Sequence, residues 1–147
     1  MVEGSQRSES GKDARVIWVT VLFSLFLVTL IVFANMGKLD FLVWVMNRIP
    51  FGDKAAHFFL FGFLSFLVNR TAMQLLPGKN LKRISIIFTL FLLAIFTLEE
   101  ISQAPLANRD ASLADLLINY MGIITFALFA YQMRKRSVAA LAEESKE

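Results

Sequence analysis

The chain has no cysteine, one histidine, three prolines and only 18% charged residues among 147. Without cysteine there is no disulfide framework, thiolate metal centre, thiol nucleophile or iron–sulfur cluster. With a single nitrogen ligand a dedicated zinc site is not expected, and neither is any other metal or cofactor. Charge is scarcer than the roughly 25% of a soluble globular domain, and 56% of the residues are hydrophobic against about 45–50% in such a domain. The length allows one domain.

What is present is apolar sequence in long runs. A bilayer core about 30 Å thick takes about 20 apolar residues of helix. Four runs approach that length: Val16–Phe33, Ala55–Val68, Ile84–Leu98 and Leu113–Met133, the last interrupted by Asp115 and Asn119. Pro50, Pro77 and Pro105 all fall between runs, where a residue without an N–H does no damage. The runs are too continuously apolar for alternating barrel strands, so helices are the only way to satisfy their backbone in lipid. The expected fold is an all-α integral membrane protein, a bundle of four transmembrane helices at about 16–35, 53–70, 82–100 and 112–133. The second span reaches full length only with Asp53, Lys54 and the residues around Asn69 in the interface, the lysine snorkelling. The first run exceeds the apolar stretch of a cleaved signal, so it is read as a retained helix.

Residues 1–15 read as a polar disordered tail and 134–147 as a charged tail. Leu39–Ile49, centred on Trp44, is too short to span and too apolar for an open loop, which suggests an interfacial or re-entrant helix on the outer side. Charge placement sets the orientation. With both termini cytoplasmic, the inner segments hold Arg7, Lys12, Arg15, Arg70, Lys79, Lys82, Arg83, Arg134, Lys135, Arg136 and Lys146, and the outer ones only Lys38, Arg48, Lys54 and Arg109. The positive charge is juxtamembrane and suits anionic membrane lipids rather than nucleic acid.

Ionisable residues in or beside spans are expensive and mark functional candidates. Here they gather at the outer face. Asp53, Lys54 and His57 share the first turn of the second helix, and Glu100 and Gln103 lie side by side at the end of the third. Glu99 points away and reads as a solvated or capping charge. Ser112 and Asp115 fit an S-x-x-[DE] capping pattern, but Asn119 lies one turn deeper, where capping no longer explains it. Gly122 allows a helix or ligand to approach closely. Arg109, in the preceding loop, can bridge Asp115 or Glu100, or offer its fork of donors to an anionic ligand. The inner half offers only Thr20, Ser24, Ser65 and Thr89, which are expected to bond their own helix backbones.

Asp53-Lys54-x-x-His57, Glu100-x-x-Gln103, Arg109 and Asp115-x-x-x-Asn119-x-x-Gly122, in that order and spacing, resemble the VanZ-like family of small bacterial membrane proteins. The stretch Ala104–Asn108 departs from the aromatic and Pro-Gly that relatives often carry before the arginine. The resemblance implies a multi-pass protein of the bacterial cell membrane, associated with lowered susceptibility to teicoplanin. It gives no mechanism.

Three functions follow as expectations. In the first, the cluster Asp53, Lys54, His57, Glu100, Gln103, Arg109, Asp115 and Asn119 binds a lipid-linked cell-wall precursor or a lipopeptide or glycopeptide at the outer leaflet, with Lys54 and Arg109 holding anionic groups. In the second, the protein is an intramembrane lipid-modifying enzyme with His57, Glu100 and Asp115 as catalytic candidates. In the third, the cluster is a structural polar network that docks a partner protein. A transporter is disfavoured because polar groups do not continue through the inner half.

Overall fold

The computed structural model describes residues 2–76, 80–103 and 113–144, all as helices and short connections. Five helices follow in order: α1 (Val2–Asn35), α2 (Asp40–Arg48), α3 (Gly52–Leu75), α4 (Leu81–Gln103) and α5 (Leu113–Glu144). Within these, Ala14–Asn35, Gly52–Leu75, Leu81–Ser102 and Leu113–Glu144 are long and apolar enough to cross a membrane. This is the arrangement of a multi-pass membrane protein. Large apolar side chains such as Leu22, Phe26, Leu90, Phe91 and Leu128 are exposed on the outside of the bundle. In water such a surface would drive aggregation, whereas lipid tails make it neutral.

α3 is the hub, packing along α5 and also against α1, α4 and α2. Residue pairs give the directions. Phe66 and Phe129 ring centroids lie 5.8 Å apart and Ser65 donates to the Ile123 carbonyl, while Lys54 meets Asp115, so α3 and α5 run parallel. Phe23 against Phe63 and Thr20 against Thr71 make α1 antiparallel to α3. Phe61 against Phe96 and Asn69 against Thr89 do the same for α4. The bundle therefore has an α2 end, where α3 and α5 begin and α1 and α4 finish, and a far end.

Two apolar clusters fill the interior. Leu27, Phe61, Leu64, Leu92, Phe96 and Ile123 form one, and Ala72, Met73, Ile84 and Ala130 form the other, towards the far end. Between them lies a polar stitch that the sequence reading left out. Asn69 is fully buried, its Nδ2 donating to the Ser65 carbonyl at 3.0 Å and its Oδ1 accepting from Thr89. Ser65 in turn donates to Ile123 O at 2.8 Å, so three helices are tied together. Thr20 and Ser24 do bond back to the carbonyls four residues earlier, as expected, but Ser65 and Thr89 reach across helices.

Helix ends differ from the expected ones. α3 continues past Arg70 to Leu75 because nothing before Pro77 breaks it, so Asn69 lies within the helix, buried in the bundle. α5 runs through Arg134-Lys135-Arg136 to Glu144, since that segment lacks proline and glycine and is rich in strong helix formers. The polar segment before Arg15 is likewise helical from Val2, not a disordered tail. Once the apolar span has nucleated the helix, each added residue fixes little and gains a hydrogen bond. The short helix expected over Leu39–Ile49 is α2, with Phe41, Trp44 and Ile49 exposed and the Arg48 guanidinium 4.5 Å over the Trp44 ring.

Candidate functional site at the α2 end

The first turn of α3 follows Phe51, a left-handed residue at φ 59°, and the seat of Gly52 is so close to Met46 O that a Cβ there would collide. This tight entry aims Asp53, Lys54 and His57 back across the end of the bundle. α5 comes to meet them because Gly122 lets the two helices touch. A Cβ at Gly122 would fall on the carbonyl of Phe58 at a separation that real side chains do not adopt. The close approach expected at this glycine is thus to α3.

Four of the sequence candidates join α3 to α5 here. Lys54 Nζ donates to Asp115 Oδ1 at 2.5 Å and lies 3.6 Å from Asp53 Oδ2. His57 Nδ1–H donates to Asn119 Oδ1 at 3.1 Å. The Nε2 of the same ring is 3.7 Å from Asp53 Oδ1, too far for a hydrogen bond. Asn119 is 1% exposed, and its Nδ2 has no acceptor among the described residues. An orphaned amide donor beside the one histidine is costly, and it is the sort of group that a ligand oxygen satisfies.

Glu100 is 6% exposed on α4. The antiparallel register that sets Phe61 against Phe96, with centroids 4.3 Å apart, carries Glu100, one turn on, to the level of His57, one turn back. Gln103 ends α4, and its side chain lies outside the described residues, as do Arg109 and Ser112. Lys54 bridges to Asp115, and the bridge expected from Arg109 falls outside the described residues. Lys54 is thereby held between two carboxylates in this structure.

Asp53, His57 and Asp115 each offer a ligand atom within 4.8 Å of the others, the separation at which a metal ion can be held. The two carboxylates share the ammonium of Lys54 in this structure, and a divalent ion would have to displace it.

Beside the cluster opens a cavity of about 570 Å³ between α1, α2 and α3. Leu27, Ile31, Met46, Ile49, Leu60 and Phe61 are among its apolar lining, and its polar edge is Asp53, His57 and Glu99. Glu99 thus faces the cavity and not away from the site. Sequence reading missed it because the direction of Glu99 depends on where α1 and α2 sit. His57 belongs to both features: one nitrogen is fixed on α5, and the ring faces the cavity.

No family model, curated protein or solved structure matches the chain. The functional reading therefore stands on the geometry of this site.

Proposed function

We propose that the protein is a VanZ-like cell-envelope membrane protein that binds an amphiphile at the α2 end. The apolar chain of the ligand enters the cavity, and its polar head meets Asp53, His57 and Asn119. The observation that carries this reading is a 570 Å³ apolar cavity with its polar groups confined to one edge, where His57 is bonded to the buried Asn119, whose Nδ2 has no acceptor among the described residues. Ligand sites are of this kind, mostly apolar with a few convergent polar groups. Because Lys54 is paired, the head group is one that donates to a carboxylate and accepts from an amide, such as an amine or hydroxyl-bearing saccharide or peptide. A lipid-linked precursor or a lipoglycopeptide of the teicoplanin kind has both parts. The basic residues near the far end support an orientation with the α2 end outside a bacterial cell membrane and both termini in the cytoplasm.

The test uses the purified full chain in nanodiscs, with Trp18→Phe so that Trp44 alone reports. Teicoplanin should give a saturable change in emission that its deacylated form does not. Ala56→Phe, which fills the cavity, and His57→Gln, which removes the imidazole, should each weaken it by about tenfold, or about 1.4 kcal/mol. Saturable binding that survives both substitutions would refute the reading.

A second reading has one observation in its favour. His57 lines the cavity with its Nε2 3.7 Å from the Asp53 carboxylate, which is where a general base would stand. Under that reading, a deletion strain accumulates a discrete lipid or precursor that His57→Gln fails to clear. An unchanged lipid profile leaves the binder.

A further inference from the structure

The far end of the bundle carries a different anomaly. Arg70 Nη1 and Arg134 Nε are buried, and no acceptor among the described residues hydrogen-bonds to either. Gln74 Oε1, one turn beyond Arg70, is buried without a donor. Three of the four such atoms among the described residues thus sit at one end, on two neighbouring helices.

Register brings them to one seam. Arg70 is one turn beyond Phe66, which packs on Phe129, and Arg134 is one turn beyond Ala130, which shares a cluster with Met73. α3 and α5 are parallel, so both steps lead the same way. Arg70, Gln74 and Arg134 line the end of the α3–α5 contact. Nothing acidic accompanies them on these helices: no Asp or Glu occurs between Lys54 and Leu98, or between Leu116 and Ala142. The ion pairs of the described residues are all at the α2 end. Both arginines are half-buried, and a guanidinium nitrogen enclosed without an acceptor is unfavourable, most of all beside lipid.

We propose that Arg70 and Arg134 form a binding site for the phosphodiester of an anionic glycerophospholipid, with a head-group hydroxyl donating to Gln74 Oε1. The planar fork of arginine matches two phosphate oxygens, and the water-poor setting strengthens the pair. A hydroxylated head group supplies both the acceptors the arginines lack and the donor Gln74 lacks. Exposed Leu75, Phe129 and Met133 offer apolar surface nearby for acyl chains, which a soluble phosphate would leave uncovered. Lys82, Arg83, Lys135 and Arg136 add long-range attraction. This site is at the opposite end from the cavity and does not depend on the function proposed above.

Native mass spectrometry of the full chain in a neutral detergent, offered equal phosphatidylglycerol and phosphatidylcholine, tests it. The wild type should retain a single phosphatidylglycerol. Arg70→Gln with Arg134→Gln should lower that retention about tenfold, while Lys82→Gln with Arg83→Gln, two exposed positions, should change it less than about twofold. The arginine double variant should melt no lower than wild type in lipid-free detergent, because it removes unpaired charge. Equal retention of the two lipids, equal loss in the Lys82/Arg83 variant, or displacement of the lipid by glycerol 3-phosphate would overturn the proposal. A lower melting temperature of the arginine variant without lipid would overturn it too, since the arginines would then be satisfied within the protein.

Discussion

The Lys54–Asp115 pair offers the sharpest test of how the α2 end is held. The Lys54 side chain is 37% exposed and that of Asp115 19%, so the pair lies between two regimes. Exposed pairs are worth about 0.2–1 kcal/mol. Removing one member of a fully buried pair costs about 3–5 kcal/mol. A partly buried, charge-assisted bond at 2.5 Å should therefore show a coupling of about 1–2 kcal/mol. Single substitutions do not report it cleanly. Asp115 stands in the first turn of α5, where a carboxylate gains about 0.3–1 kcal/mol from the helix dipole, and Lys54 stands in the first turn of α3, where a cation loses a similar amount. Asp115→Asn thus exaggerates the value of the pair and Lys54→Met understates it. In addition, Lys54→Met removes the ammonium that lies between Asp53 and Asp115. In the double-mutant cycle the dipole contributions cancel and the interaction remains. Unfolding of wild type, both single variants and the double variant in mixed micelles, followed by tryptophan emission, gives the four free energies. A coupling below about 0.3 kcal/mol would place the pair with ordinary surface ion pairs and refute the reasoning.

Two further outcomes concern the α3–α5 contact. Gly122→Ala should destabilise by about 1–3 kcal/mol in the same assay, since the obstacle is the Phe58 backbone and the helices must part, and the gain of about 1 kcal/mol from helix propensity offsets only some of this. Stability equal to or above wild type would show that the helices do not touch there. Asn69→Leu should cost about 1–2 kcal/mol by removing the link between Ser65 and Thr89, and a neutral result would mean that apolar packing alone holds the centre of the bundle.

Much of the architecture was legible in the sequence, because lipid imposes rules that act on each segment separately. Run length and unsatisfied backbone determined four apolar helices, and the prolines marked their breaks. The shortness and aromatic content of Leu39–Ile49 determined α2. The i, i+3 and i, i+4 spacings determined that Asp53, Lys54 and His57 share a face, and that Asn119 lies too deep for capping. Helix ends were less legible, since a charge triplet such as Arg134-Lys135-Arg136 stops a membrane span without stopping a helix.

Partnership between helices was decided only by the tertiary structure. A carboxylate has the same local pattern whether its cation comes from its own loop or from a helix some sixty residues away, so Asp115 could be recognised as charged but not matched to Lys54. Glu99 turned out to face a cavity because α1 and α2 pack where they do, and Arg70 and Arg134 became an unpaired couple only through the parallel register of α3 and α5. Periodicity is a property of one helix. Neighbourhood depends on register and rotation across helices, and those are set by the sum of many small packing contacts that no single stretch of sequence contains.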